Sequence, residues 1–426
     1  MYAVLQLTIR KLLHIVWSRV ITNECARHST IEEQASQSLC CSHLSDCWTR
    51  NGFRAYGMDV VRERLCVISV VHSVQVVATV LVCLMVAGCA DQPSPPAPSL
   101  EPAAKARVWP PPPDTPRYAY VKSLVGERDL VTPGSDGGGT FVKVLKWIAG
   151  LVIGDPDYLE LRRPVSGMTD DAGRIFVVDA SHRAIIVFDM PARKVRKWSL
   201  AAKGRQFVSP VAVVGDGAGG MFVTDAELKE VFQIDGNGKP IGRFGKGVLG
   251  RPTGIARDSR SGRIYVSDTT RHDIKIFDAR GNLVGSLGAR GKRQGTFNAP
   301  TYISFHGDEL YVSDTLNFRV QIFNRAGDGE AMFGKLGLYV GRLARPKGVA
   351  VGQDGRIYVV ESYFDHLLVF NRGGQLLLPI GGTGNGIGEF YLPAGVWVDK
   401  QGRVMIADMF NGRIVVLKEL RGKNDL

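Results

Sequence analysis

The stretch PKGVAVGQDGRIYVVESYFDHLLVF, residues 346–370, contains short runs rich in β-branched and aromatic residues, separated by turns. Such runs predict strands, and the Gly, Asp and Asn residues between them predict tight turns. The run IYVVE ends in an acid, and a further run, LLVF, follows it. The stretch is one copy of a unit that recurs along the chain.

The unit opens on a proline and occurs six times, at intervals of 46, 42, 48, 46 and 47 residues. The prolines are Pro164, Pro210, Pro252, Pro300, Pro346 and Pro393. Each unit has a β-rich run that ends in an acid, and the acids are Asp179, Asp225, Asp268, Asp314, Glu361 and Asp408. About four strands in more than 40 residues are typical of a propeller blade. We therefore predict an all-β fold, a six-bladed β-propeller over residues 118–421.

The sixth unit lacks a fourth strand, because the chain reaches Leu426 soon after its third. Residues 118–125, YAYVKSLV, form a spare strand that precedes the first unit. We predict that this N-terminal strand completes the last blade, since closure removes an exposed sheet edge. Residues 142–153 have helix-like apolar spacing and predict a short helix or irregular insertion on the ring, with a membrane-lying helix as the alternative.

The repeated motifs resemble NHL repeats. The clearest matches are Pro346-Lys347-Gly348-Val349 with GRIYVVE at 355–361, and DTLNFRVQIF at 314–323. The resemblance covers residues 118–420 and implies the six-bladed propeller. It is not specific for function, because NHL-type propellers include RNA-binding modules, protein-binding sensor domains, a lyase of peptide amidation and bacterial lipoproteins of unknown role. The chain as a whole looks most like the last group.

An apolar run at residues 65–86 follows Arg62 and Arg64 and ends in Val86-Ala87-Gly88-Cys89. A basic start, an apolar centre and small residues before a cleavage point describe a secretory signal. The small-small-Cys ending resembles a bacterial lipobox, which implies that Cys89 is acylated. The alternative is an uncleaved transmembrane anchor. Both place the rest of the chain outside the cytoplasm, with outer-membrane or periplasmic attachment if the cell has two membranes.

The domain organisation follows from these segments. We predict a spurious or disordered extension at 1–57, a lipoprotein-type signal peptide at 58–89 and a proline-rich linker at 90–117, in which ten of 28 residues are proline. The composition, 45% apolar with 50 glycines and 21 prolines, excludes a wholly disordered chain, a coiled coil and a polytopic membrane protein. No cysteine follows Cys89, so the propeller contains no disulfide.

Basic residues are concentrated in the loops that connect one unit to the next. The five loops are 200–209, 244–251, 287–299, 333–345 and 380–392. Their bases are Lys203, Arg205, Lys246, Arg251, Arg290, Lys292, Arg293, Lys335, Arg342 and Arg345, against one acid, Glu389. Loops on one side of an up-and-down blade share a face, so we predict a basic binding face. The alternative is a solvated surface without a ligand.

The expected partner is an envelope protein or an anionic glycan or lipid, and the lipid anchor is expected to add contact with the membrane. Nucleic acid is not expected outside the cytoplasm, and we expect a monomeric propeller. The main functional hypothesis is therefore a lipid-anchored binding or scaffold module. The alternatives are a metal-assisted hydrolase or lyase with a site in the axial channel, and an extracytoplasmic sensor domain.

The sequence offers little support for catalysis. His182, His272 and His366 follow their acids at three different distances, which disfavours a shared zinc site. We expect no cofactor, although calcium on the axis remains an alternative. The six acids recur in every unit, so we interpret them as structural residues that accept backbone N–H bonds. In DTLNFR and DMFNGR the arginine five residues after the acid is expected to pair with it.

The sector between the fifth and sixth units departs most from the repeat. It carries a glutamate in place of the usual aspartate, followed by aromatic residues. We predict a candidate pocket formed by Glu361, Tyr363, Phe364 and Trp397, because aromatic side chains supply binding area at a low cost in entropy. The alternative is sequence drift in a tolerant loop.

Overall fold

The structure, a computed structural model, describes residues 107–130 and 158–420. The predicted extension, signal peptide and acylated Cys89 lie outside these ranges, as do most of the linker and the helix expected at 142–153. None of the helices in the described ranges has the length and apolar composition needed to cross a bilayer.

Six antiparallel sheets form the blades of the ring; in the first five the strands follow chain order from inside to outside, and in the sixth the outer strands come from the N-terminal side. The first two strands of the described chain, which belong to the last blade, are β1 (Val108–Trp109) and β2 (Tyr118–Leu124). Blade 1 contains β3 (Pro164–Thr169), β4 (Ile175–Asp179), β5 (Ala184–Asp189) and β6 (Lys194–Trp198). A small hairpin, β7 (Leu200–Ala202) and β8 (Arg205–Gln206), follows it.

The next three blades repeat the pattern. Blade 2 contains β9 (Pro210–Gly215), β10 (Met221–Asp225), β11 (Glu230–Ile234) and β12 (Pro240–Phe244). Blade 3 contains β13 (Pro252–Arg257), β14 (Ile264–Asp268), β15 (Asp273–Phe277) and β16 (Leu283–Leu287). Blade 4 contains β17 (Pro300–His306), β18 (Glu309–Asp314), β19 (Arg319–Asn324) and β20 (Gly329–Phe333).

The last two blades lead back to the start of the ring. Blade 5 contains β21 (Pro346–Val351), β22 (Ile357–Glu361), β23 (His366–Phe370) and β24 (Leu376–Gly381). Blade 6 contains β25 (Val396–Val398), β26 (Arg403–Asp408) and β27 (Arg413–Glu419), with β2 and then β1 outside them. Two single turns of 3-10 helix lie at Glu127–Asp129 and Thr315–Asn317.

Apolar side chains between neighbouring blades form the core. The second strand of each blade is buried on both of its faces, because each face packs against an adjacent blade. Six apolar clusters result, one at each junction between blades. The outer strands, by contrast, are largely exposed. Burial of both faces explains why single blades cannot be stable alone and why the ring must close.

The glycine of the Pro-x-Gly motif permits the close approach of neighbouring inner strands around the axis. A Cβ atom at Gly348 would lie 2.7 Å from the carbonyl oxygen of Ala394 in the next blade. At Gly395 it would lie 2.6 Å from the carbonyl oxygen of Val165. Real Cβ atoms are not found at such distances from backbone atoms, so these two positions require glycine.

Strand β2 occupies the place that the missing fourth strand of blade 6 leaves open. It pairs antiparallel with β27, with Tyr118 opposite Glu419 and Leu124 opposite Ile414. Tyr118 also meets Tyr358 of blade 5, with their hydroxyl oxygens 3.1 Å apart and the rings edge to face. Blades 5 and 6 are therefore joined through a strand from the N-terminal side of the ring.

Val108 and Trp109, near the end of the linker expected at 90–117, pack on the ring as part of blade 6. Val108 and Trp109 pair with Ala119 and Tyr118 as a fifth strand of blade 6. Trp109 is 6% exposed and belongs to the apolar cluster between blades 5 and 6, together with Phe390. The proline content of this segment predicted an extended linker. Its single tryptophan is instead buried against the ring, which the proline content could not indicate.

The six acids at the ends of the second strands hold the loops that enter their blades. Each is at most 1% exposed. Asp179, for example, accepts bonds from the backbone N–H groups of Arg162 at 2.7 Å and of His182 at 2.9 Å. The equivalent loop bonds run to the other five acids from Ser209, Arg251, Asn298, Arg345 and Tyr391. The predicted structural role of these acids is confirmed.

Blades 4 and 6 add an arginine to this arrangement, as the spacing predicts. Arg319 Nε donates to Asp314 Oδ2 at 2.8 Å, and Arg413 Nε donates to Asp408 Oδ2 at the same distance. The remaining nitrogens of Arg319 donate to the carbonyl oxygens of Lys292, Arg293 and Thr296. Each arginine therefore fixes the backbone of the loop that precedes its blade.

We expect Leu124→Ala to lower the free energy of unfolding by about 2–5 kcal/mol, because Leu124 is fully buried between blades 6 and 1. Val125→Ala is the matched control, since Val125 is 37% exposed, and we expect a change of less than about 1 kcal/mol. Urea unfolding followed by circular dichroism measures both. Equal losses in the two variants would contradict a packed closing strand.

We expect Asp225→Ala to destabilise the protein by at least about 3 kcal/mol. The substitution leaves the amide N–H groups of Val208, Ser209, Glu227 and Leu228 without their acceptor, and each unpaired group costs about 1–3 kcal/mol when buried. The control is Asp235→Ala in an outer turn, where only two amide bonds to the side chain are lost and water replaces them, at about 1 kcal/mol. The prediction fails if thermal melts show the same shift for both.

Candidate functional site

The loops between blades lie on one face of the ring, together with the turns between second and third strands. We call this the connecting face and define it by loops 200–209, 244–251, 287–299, 333–345 and 380–392. The other face carries the turns after the first and third strands and is called the opposite face. This division follows from the antiparallel order of every blade.

Seven of the eight basic residues of the candidate binding face are exposed there. They are Lys246, Arg251, Arg290, Lys292, Arg293, Lys335 and Arg342. They fall on three consecutive connections, from blade 2 to blade 5, so the charge forms one basic sector and not a full ring. The eighth, Arg345, is half-buried, and its guanidinium donates to the Oγ and carbonyl oxygen of Ser362. Arg345 is therefore partly engaged in holding a turn of blade 5.

The basic sector has no acidic counterpart. Within residues 107–130 and 158–420, none of its seven exposed bases has a carboxylate at ion-pair distance. Arg205, which the sequence also placed on this face, differs, because its Nη1 lies 3.1 Å from Glu230 Oε2.

The opposite face shows the contrary pattern of charge pairing. Arg325, Arg372 and Arg403 lie within 2.6–2.8 Å of carboxylate oxygens of Asp258, Glu330 and Asp399, respectively. A large cleft of about 840 Å³ between blades 4 and 5 opens on this face, and Arg325, Glu330 and Arg372 contribute to its walls. The sequence did not predict this cleft, because its residues come from turns that are distant along the chain.

A tyrosine obstructs the axial channel. The six inner strands enclose a cavity of about 280 Å³. Tyr302 of blade 4 reaches across it, and its hydroxyl donates to the carbonyl oxygen of Val165 in blade 1, on the opposite side of the ring, at 2.9 Å. Burial raises the pKa of Tyr302 above its ordinary value, so the hydroxyl remains a donor.

Lys347 is a further cation near the connecting-face end of the axis. It occupies the second position of an inner strand, where the other blades have Val, Val, Thr, Thr and Ala. Burial lowers the pKa of its ammonium group, and the positive charges of Arg345 and Arg163 lower it further. No carboxylate pairs with it in the part of the chain that the structure describes. A lysine at this position is the sequence signal that could have identified it.

The four residues of the predicted pocket do not come together as one site. Glu361 is buried and accepts the backbone N–H groups of Arg345, Tyr363 and Phe364. Trp397 lies on the inner strand of blade 6, and its Nε1 donates to Thr169 Oγ1 of blade 1 at 3.1 Å. Only Tyr363 and Phe364 face the connecting side, with ring centres 4.8 Å apart.

A second aromatic pair on the same face was not predicted. Tyr391 and Phe410 pack edge to face at 5.6 Å, and the Arg163 guanidinium lies 5.8 Å from the Phe410 ring. Both rings are about half exposed. The pair depends on two turns of blade 6 that meet only after folding, which explains why spacing alone did not indicate it.

The histidines bind backbone groups of separate blades. His182 Nε2 lies 2.8 Å from the carbonyl oxygen of Glu160, and His272 Nδ1 accepts the N–H of Ala299 at 3.0 Å. His366 Nδ1 lies 2.5 Å from the carbonyl oxygen of Phe364. Across the described ranges, no three His, Cys, Asp or Glu side chains converge as a metal site requires.

Family models match two parts of the ring. A model of NHL repeats matches residues 249–277, and a model described as a 6-bladed β-propeller of the DUF5128 type matches residues 345–418. A comparison with curated protein sequences finds no match.

Solved structures with the same fold share little sequence with this chain. One is an auxiliary nutrient-binding protein from Bacteroides thetaiotaomicron, with a TM-score of 0.50 and 12% identity over 61% of this chain and 70% of that one. A similar protein from Bacteroides ovatus gives 0.48 and 16% over the same shares. Virginiamycin B lyase from Staphylococcus aureus gives 0.46 and 16%, over 62% of this chain and 98% of the lyase. The predicted repeat type and fold are confirmed: the chain carries NHL-type repeats and is a six-bladed β-propeller.

Proposed function

We propose that this protein is a lipid-anchored, extracytoplasmic binding propeller whose connecting face takes an anionic partner. One observation carries the proposal, namely that the seven exposed bases of the basic sector have no carboxylate partners in the described ranges, whereas Arg325, Arg372 and Arg403 of the opposite face do. Clustered unpaired charge repels itself and contributes nothing to the core. An anionic partner would relieve that repulsion.

The buried acids beneath the connecting face are engaged by the fold, because they accept backbone N–H bonds. Asp268, for example, is fully buried and accepts the backbone N–H groups of Gly250 and Arg251. The side chain of Arg251 is exposed and forms no ion pair with a carboxylate in the described ranges. The positive potential of this face therefore remains available to a partner from outside.

The location proposed for this activity rests on the sequence. The apolar run at 65–86 and the lipobox-like ending at Cys89 support export and acylation, and the proline-rich segment that follows supports a stalk. Two propellers of similar fold are described as auxiliary nutrient-binding proteins. At 12 and 16% identity they share the fold alone, so the binding proposal depends on the charges of this chain.

The triple variant Arg290→Glu, Lys292→Glu, Arg293→Glu tests the proposal. We expect it to weaken binding of polygalacturonate, a soluble polyanion, by about 30-fold at low salt, which corresponds to ~2 kcal/mol. Added salt should reduce wild-type binding, since exposed charges are screened. Isothermal titration calorimetry measures both effects.

The control carries the same change of net charge on the opposite face, as Lys239→Glu, Arg280→Glu and Lys400→Glu, all at exposed positions. We expect it to bind the polyanion within about twofold of the wild type, because charges more than a Debye length away are screened. If the two triple variants lose affinity equally, only net charge matters and the basic sector is not a site. If neither loses affinity, the proposal fails.

A further inference from the structure

The loop between blades 4 and 5 exposes a group of apolar side chains. Leu336, Leu338, Tyr339 and Val340 are 59, 77, 79 and 53% exposed, all within five residues. The other large apolar residues exposed in the described ranges are scattered singly or in pairs. Soluble proteins rarely expose contiguous apolar surface of this kind unless it meets a partner. We call residues 336–340 the apolar tip.

The fold holds the apolar tip out from the ring. The N–H of Leu343 donates to the carbonyl oxygen of Lys335 at 3.0 Å, which closes the base of the loop. Leu343 itself is fully buried in the apolar cluster between blades 4 and 5. Gly334 and Gly341 have φ values of 106° and 93°, in the region that favours glycine, so the chain turns sharply at both ends. A second bond, from the N–H of Arg342 to the carbonyl oxygen of Tyr339, orders the tip.

Cations flank the apolar tip on both sides. Lys335 precedes it and Arg342 follows it, both are exposed, and neither has a carboxylate partner in the described ranges. Loop 333–345 contains no acid. The adjacent loop of the basic sector adds Arg290, Lys292 and Arg293 on the same face. The protein therefore presents apolar side chains surrounded by positive charge.

We infer that the connecting face docks on an anionic lipid bilayer, with the apolar tip inserted at its surface. The inference rests on the proposed function, because it names the anionic partner of the same face. Apolar side chains ringed by Lys and Arg match the boundary between acyl chains and anionic headgroups. Tyrosine is also favoured at that depth, since its ring is apolar and its hydroxyl stays hydrated.

A soluble glycan fits these observations less well than a bilayer does. A glycan polyanion would neutralise Lys335 and Arg342 but would leave Leu336 and Leu338 in water. A bilayer removes both the apolar exposure and the unpaired charge. It also offers a surface broad enough to meet loops from several consecutive blades.

The test places a fluorescent reporter on the tip in the full chain, as Tyr339→Trp, with Ile241→Trp as the matched control. Ile241 is 53% exposed on the outer strand of blade 2, so the control reports a solvent position away from the tip. Any attachment of the N-terminal part of the chain to the vesicles is shared by both variants. The vesicles contain phosphatidylglycerol and phosphatidylcholine in equal parts, with or without brominated acyl chains.

We expect the added emission of Tyr339→Trp to shift to shorter wavelength and to be quenched about twofold by the brominated lipid, because an inserted side chain lies about 5–10 Å into the headgroup–acyl boundary. The Ile241→Trp emission should not change. Adding Lys335→Glu and Arg342→Glu to Tyr339→Trp should abolish the quenching, and so should vesicles of phosphatidylcholine alone. Circular dichroism confirms that the variants stay folded.

Three results would overturn the inference: no quenching of Tyr339→Trp on anionic vesicles, equal quenching on neutral vesicles, or quenching that survives the two Glu substitutions. The failure of this inference is distinguishable from that of the proposed function. If polygalacturonate still binds through Arg290, Lys292 and Arg293 while the tip stays in water, the basic sector serves a soluble anion and the bilayer inference falls. If a protein partner covers the tip without lipid, it falls as well.

Discussion

Six buried carboxylates that bind backbone amides are the interaction on which this ring depends. Each lies at the end of a second strand and joins the loop that enters its blade to the turn that leaves that strand. Apart from the small hairpin β7–β8, the loops contain no regular structure of their own, so without these bonds their amide groups would lack partners near the protein interior. The same bonds affect the charge of the connecting face. In most blades, backbone N–H groups bind the carboxylates with which surface cations would otherwise pair. The unpaired bases of the basic sector are thus a consequence of how the fold is held together.

The two faces of the ring consequently differ in how their charges are satisfied. On the opposite face, neighbouring blades bring Arg and Asp or Glu side chains into direct contact, as Arg372 and Glu330 show. Exposed ion pairs of this kind contribute little stability individually, but they leave little net potential. On the connecting face the loops are longer, carry bases almost exclusively and differ in length between blades. A ligand with negative charge would therefore distinguish the two faces, even though the blades themselves are nearly equivalent.

The features that could be predicted from sequence are those that every unit repeats. Proline positions, acid positions and strand composition recur, so they predicted the number of blades and the role of Asp179 and its equivalents. In two units, the spacing of five residues from acid to arginine also predicted the Arg319 and Arg413 pairs. The closing strand β2 occurs once and was predicted from the missing fourth strand of the last unit, but single features that depend on side-chain contacts across the ring were not predicted. Trp109 finds its site only because blade 6 offers an outer edge, and Lys347 is unusual only in comparison with five other inner strands. The predicted pocket grouped Glu361 with Trp397 by irregularity along the chain, whereas the structure places one under a loop and the other beside the axis. The apolar tip was not predicted either, because the exposure of a side chain cannot be judged from composition.

Tyr302, which crosses the axis, determines whether the channel is open from one face of the ring to the other. Rings of this type are often pictured as tunnels, but Tyr302 and its bond to Val165 separate the two mouths. The axial cavity of about 280 Å³ has Tyr302, Arg257 and His306 in its lining, and the last two end their inner strands at the opposite face. A molecule bound in that cavity would meet a tyrosine hydroxyl already bonded to a backbone carbonyl, and not an open passage to the connecting loops.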